Sequence, residues 1–130
     1  MNIMVGYDQS NVAKEALALA KKHAKAFDAK LYLLTALAQS PELQLEDIQK
    51  AENELERVQI SLKAEDIPCE THAIVSSLTA GEDLVQFAQD NDIDEIVIGV
   101  RRRSKVGKLL FGSNAQYIIL QAPCPVVAVK

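Results

Sequence analysis

The sequence predicts an α/β fold: a five-stranded parallel sheet in the order 3-2-1-4-5, with helices on both faces. Two observations carry this expectation. Short apolar runs alternate with amphipathic stretches in the order βαβαβαβαβ, with short joints, no linker and no internal repeat. The run Leu31 to Leu37 is apolar on both faces, as a strand inside a parallel sheet must be when helices cover both sides. Right-handed crossovers then leave few other arrangements. With 130 residues, the chain is expected to form one domain, 1–130, burying roughly two-thirds of its unfolded surface.

Each element has a local cause. Asn2 to Tyr7 is an apolar run ending in the turn and cap residues Asp8-Gln9-Ser10. From Asn11 the period becomes helical, with Val12, Ala16, Ala20, Ala24 and Phe27 on the inner side, and Asp28-Ala29-Lys30 ends the helix. After the second strand, Ser40-Pro41-Glu42 predicts a helix start, with Ser as N-cap and Pro in the first turn. Ile48, Ala51, Leu55, Val58 and Leu62 give that helix one apolar stripe, and its dense Glu residues read as a solvated face. Ile67-Pro68 stops it. Cys69 to Val75 is a third, more exposed strand, and Thr79 caps a helix over Ala80 to Asp90. Leu84, Val85, Phe87 and Ala88 form its buried side. Asp94 to Val100 is the fourth strand, a helix covers about Ser113 to Gln121, and Pro125 to Val129 is the last strand.

Composition narrows the function classes. Apolar residues make up 48% and charged residues 25%, which excludes a disordered tail or a disulfide scaffold. Cys69 and Cys124 are too few for a zinc site by themselves and read as free thiols of a reducing compartment. No signal peptide is expected at Met1, and the uncharged stretch Leu109 to Val129 is broken by Gly112, Pro123, Pro125 and several amides, so no membrane helix is expected. A cytoplasmic location follows as an expectation. His23 and His72 lack ligand spacing, and no nucleophile is paired with a base, so catalysis beyond slow hydrolysis has no support.

The net charge of −4 argues against nucleic acid as partner, yet Arg101, Arg102, Arg103, Lys105 and Lys108 crowd one loop. Ligands of open parallel sheets sit at the carboxyl ends of strands where the strand order reverses. In the order 3-2-1-4-5 that point lies between the first and fourth strands. There Tyr7-Asp8-Gln9-Ser10 and Gly99-Val100-Arg101-Arg102 leave the sheet, so the basic loop falls at the predicted crevice. The segment 99–113 is neither a dinucleotide glycine motif nor a P-loop, since Gly107-Lys108 is followed by Leu109. It begins with Gly, is rich in cations, and ends in Gly112-Ser113 at a helix start, where free N–H groups favour an anion.

With these landmarks the chain resembles the universal stress protein family over nearly its whole length. The matching segments are Ile3 to Ser10, Leu31 to Leu37, the Gly112-Ser113 pair, and the tail Ala122 to Val129. Nucleotide-binding members carry G-x2-G-x9-G-S/T. Gly99 and Gly112-Ser113 fit this pattern, but Arg102 stands at the second glycine. The resemblance implies a Rossmann-like sheet of the adenine nucleotide alpha hydrolase type. It also implies a site for ATP or AMP, with Mg2+ or Mn2+ held through the phosphates. Asp8 would lie beside adenine or ribose, with Gly6 and Tyr7 on the wall and Ala36 and Ile98 against the base. Gly112, Ser113, Asn114 and Ala115 would receive the phosphates, with Arg101 and Arg102 as cations.

Other readings stay open on the residues alone. Asp8 also suits a simple N-cap, the arginine run a solvated loop, and Gly112-Ser113 a plain helix entrance. The leading expectation is a stress-response protein with an adenine nucleotide as regulatory ligand. The alternative is a nucleotide-free homodimeric interaction module, if Arg102 fills the phosphate space. In either case Pro125, Val126, Val127, Ala128 and Val129 form an apolar edge strand expected to pair with a second copy.

Overall fold

The structure, a computed structural model, describes residues 1–100 and 112–130. The element order is β1 (Asn2–Gly6), α1 (Asn11–Phe27), β2 (Lys30–Ala38), α2 (Leu45–Ala64), β3 (Cys69–Ser76), α3 (Ala80–Asp90), β4 (Glu95–Gly99), α4 (Ser113–Gln121) and β5 (Val126–Val129). The strands form a single parallel sheet in the order β3-β2-β1-β4-β5, as expected. Val5 in the central strand is flanked by Leu33 and by Val97.

Alternation along the strands divides the core in two. Ile3, Val5, Leu31, Leu33 and Val97 face α1 and α2, while Met4, Tyr32, Leu34, Ile96 and Ile98 face α3 and α4. A strand buried on both sides needs consecutive apolar residues, and Ile3 to Val5, Leu31 to Leu34 and Ile96 to Ile98 supply them. α1 covers this sheet with small residues: Ala13, Ala16, Ala20 and Ala24 are buried, which lets the helix approach closely.

Local signals placed most ends. Ser10 Oγ accepts from the Ala13 N–H at 3.2 Å, and the left-handed Asp28 terminates α1. Thr79 and Glu82 form a reciprocal capping box on α3, each side chain accepting from the other's N–H at 3.2 Å.

Two expectations are corrected. α2 begins at Leu45 and not at Pro41. The Gln39 N–H still bonds the Ser76 carbonyl, and Ser40 to Leu43 then close a tight turn, with Leu43 N–H donating to Ser40 O at 3.1 Å. The Asp47 carboxylate accepts from the Gln44 N–H at 2.9 Å and sets the true start. Phe27 is not in the core; it is 56% exposed and meets the His23 ring edge-on at 5.9 Å. The buried line of α1 runs through Ala13, with Val12 turned aside toward the strand ends.

Cys69 and Cys124 are both free thiols. Among the described residues, no helix is long and apolar enough to cross a membrane.

Candidate functional site

Because β1 and β4 lie side by side and their chains leave toward different helices, a gap opens at their carboxyl ends. The described residues enclose about 180 Å³ there. Gly6, Tyr7 and Asp8 border it from β1, Ile98 and Gly99 from β4, Ala36 from β2, and Asn114 and Ala115 from α4. The structure therefore brings eight of the expected residues together. Gly112 and Ser113 lie outside this cleft, exposed at the entrance to α4. Arg101 and Arg102 fall in the segment 101–111, outside the described residues.

Ser10, already expected to leave β1 at this point, also lines the cleft, whereas sequence reasoning missed Val12, Ala13, Leu34, Ala80, Leu84 and Ile118. Val12 and Ala13 could have been found, since the first helical turn after β1 must border a gap at the end of β1. Ala80, Leu84 and Ile118 carry no local signal. They reach the cleft only because α3 and α4 pack on each other.

The expected residues play distinct parts. The Tyr7 ring points away from the cleft into the α1–α2 core, and its hydroxyl donates to Glu54 at 3.3 Å. Burial first, then the Glu54 carboxylate, raise the Tyr7 pKa, so this phenol stays protonated and serves as wall. Glu54 is itself held below the usual carboxylate range, chiefly by its hydrogen bonds from Arg57. Asp8 is not the cap of α1, because Ser10 fills that role. Its carboxylate instead stands exposed at the mouth, where Oδ1 accepts from the Ser10 N–H at 3.0 Å.

At the other end, Asn114 Oδ1 accepts from the Gly81 N–H at 2.9 Å. A Cβ on Gly81 would lie 3.0 Å from the Asn114 carbonyl, so the two helix starts are locked together. The first hydrogen bond inside α4 runs from Gln116 N–H to Gly112 O at 3.0 Å. The N–H groups of Ser113, Asn114 and Ala115 therefore have no intrahelical acceptor, and Gly112 supplies no side-chain cap. Such an end attracts an anion. Tyr7, Asp8 and Ala36 also border a second hollow of about 410 Å³ toward Leu43 and Lys50. That hollow lies away from α4, and at the start of α2 on its lining the Asp47 carboxylate already accepts from the Gln44 N–H.

A parallel sheet in this order, with an apolar crevice at its switch point, defines a Rossmann-like α/β protein. The profile of the universal stress protein family matches residues 1–130, and the chain belongs to that family. A universal stress protein of Thermus aquaticus is 33% identical, the match covering 98% of this chain and 97% of that one. A universal stress protein structure from Archaeoglobus fulgidus superposes with a TM-score of 0.87 at 34% identity, covering 100% of this chain and 98% of that one. A second Archaeoglobus fulgidus structure, in complex with dAMP, gives 0.82 at 30% identity, with coverage of 100% and 98%.

Proposed function

We propose that this chain is a cytoplasmic stress-response protein that binds an adenine nucleotide, ATP or AMP, as a regulatory ligand at the switch-point crevice. The observation that carries the reading is the joining of two chemistries in one gap. Leu34, Ala36, Leu84 and Ile98 make an apolar slot, and the slot leads to the first N–H groups of α4, which have no acceptor among the described residues. At about 180 Å³ the enclosed space is below the ~300–1,000 Å³ of a pocket that swallows a whole ligand. It suits one ring system, with ribose and phosphates directed outward. The 30% identical relative that holds dAMP supports the same class of ligand.

In this reading the Asp8 carboxylate accepts from ribose hydroxyls. The α4 amides and the arginines and lysines of 101–108 meet the phosphates. Among the described residues no group of three His, Cys, Asp or Glu side chains could hold a metal ion, so Mg2+ or Mn2+ would be held through the phosphates. Isothermal calorimetry with ATP and AMP tests the reading, together with mass spectrometry of ligand released on denaturation. Folded protein that gives no heat with either nucleotide and releases none overturns it, in favour of the interaction module that Arg102 in the glycine motif suggests.

For the assembly, we propose a homodimer through β5. Val126, Val127 and Val129 are only half-buried on this edge strand, and α4 leaves Ile119 and Leu120 exposed, the latter by 73%. Pairing with a second copy across a two-fold axis would cover both.

A further inference from the structure

Parallel strands exchange hydrogen bonds through alternate residues, so each residue of β2 offers its N–H and C=O to one neighbour only. Even residues serve β1: Lys30 N–H donates to Met1 O at 3.0 Å, and Leu34 O accepts from Tyr7 N–H at 2.8 Å. Odd residues serve β3: Leu31 N–H donates to Pro68 O at 2.9 Å, and Gln39 N–H to Ser76 O at 3.1 Å. With Gly6 in register with Leu34, the next rung would join Ala36 N–H to the Tyr7 carbonyl. That rung is replaced. Thr35 Oγ1 donates to Tyr7 O at 2.7 Å instead, and among the described residues no backbone carbonyl takes up the Ala36 N–H. Ala36 lies on the crevice lining.

We propose that Thr35 is a positioning residue: its hydroxyl takes the Tyr7 carbonyl, ends the β1–β2 ladder one rung early, and keeps the Ala36 N–H turned to the crevice as a donor. A backbone donor at the wall of an apolar slot needs an acceptor, and water or a ligand must supply it. A ring nitrogen of a flat heterocycle lying against Ala36 has that chemistry. The identity of this ligand rests on the nucleotide reading above; the replaced rung does not.

The test uses the full chain as wild type and as Thr35→Val, Thr35→Ala and Thr35→Ser. Amide hydrogen exchange is followed by NMR without nucleotide, and AMP affinity by calorimetry. In wild type the Ala36 amide should exchange at least about tenfold faster than that of Leu34, which keeps its place in the ladder. Without the hydroxyl, in Val and in Ala, the rung should close and slow Ala36 exchange by a similar factor. AMP binding should then weaken about threefold to tenfold, the worth of one neutral hydrogen bond. Serine should preserve both properties. Equal exchange of Ala36 and Leu34 in wild type, or no slowing in both hydroxyl-free variants, overturns the proposal. If AMP binds to none of the four proteins while the exchange pattern holds, the nucleotide reading fails and the role of Thr35 stands.

Discussion

Gly99 lies so close to Val12 that a Cβ built on it would stand 2.6 Å from the Val12 carbonyl carbon. That carbon and its oxygen, at 2.7 Å, are backbone atoms, so neither can swing aside. The first glycine of the nucleotide motif therefore serves packing in this fold, holding the start of α1 against the end of β4. Gly112 differs: among the described residues a Cβ there would meet nothing within 4 Å, and its φ of −63° is ordinary.

These two glycines should respond to substitution in opposite ways. Gly99→Ala should cost about 1–3 kcal/mol of stability through overpacking. Gly112→Val should cost only about 1 kcal/mol of stability, because valine is a poorer N-cap than glycine, while obstructing anion approach to α4. Urea unfolding of both variants, with nucleotide calorimetry on Gly112→Val, separates the structural role from the binding role.

Arg102→Gly restores the family pattern at the one motif position where this chain departs from it. If the arginine clamps phosphate, ATP affinity should fall and its salt dependence should weaken, because exposed ion contacts are screened over about 8–10 Å. If the arginine fills the site, the same change should strengthen binding. Calorimetry at two salt concentrations reads both the sign and the slope.

Burial drives the Cys69 thiol up from its ordinary 9.0 to about 11. The folded state then holds its proton more tightly than the unfolded chain. This contribution to stability is complete below about pH 9 and should be lost as the pH rises toward 11. Urea midpoints measured across that range should decline, and Cys69→Ala should flatten the slope. The same thiol should resist alkylation in folded protein at pH 8.

Cys69 and Cys124 sit at opposite edges of the sheet, four strand spacings or roughly 19 Å apart. No disulfide can span that distance. Thiol titration of denatured, unreduced monomer should count two free groups.

Asp83 is buried at 7% exposure, and Ser76 Oγ lies 2.8 and 2.9 Å from its two carboxylate oxygens. Ser76→Ala removes that donor and leaves a buried charge short of one partner. The expected cost is about 1–3 kcal/mol, visible as a lower urea midpoint. A Ser76→Ala protein as stable as wild type would mean that the Ser76 hydroxyl contributes nothing net to holding Asp83.

Val127→Pro should convert the proposed dimer to monomer, because proline removes a ladder donor and blocks edge pairing. Light scattering at micromolar concentration is the check. A monomeric wild type, or a dimer untouched by the substitution, sinks the β5 interface.

Strand count, helix type, sheet order and the position of the crevice were all legible in the sequence. They follow from signals that live within a few residues: apolar period, capping side chains and turn chemistry. Ser10, Thr79 and Ile67-Pro68 between α2 and β3 show how little context such signals need. Strand order also pointed to Asp8 and Gly99, because it says which strand ends meet, while Ala36 and Ile98 were expected from the family resemblance. What only the tertiary structure decided concerns partners far apart in the chain. Ser40-Pro41 looked like a helix start, but the Gln39–Ser76 bond keeps the chain on the sheet until a tight turn releases it. Gly99 lines the crevice but also packs against the Val12 backbone, and the Asn114 Oδ1 proved to accept from the Gly81 N–H. Thr35 gave no sign that it would replace a backbone rung. A local window reports backbone preference and period; it carries no record of which atom arrives from the far side of the sheet, and close packing decides that last.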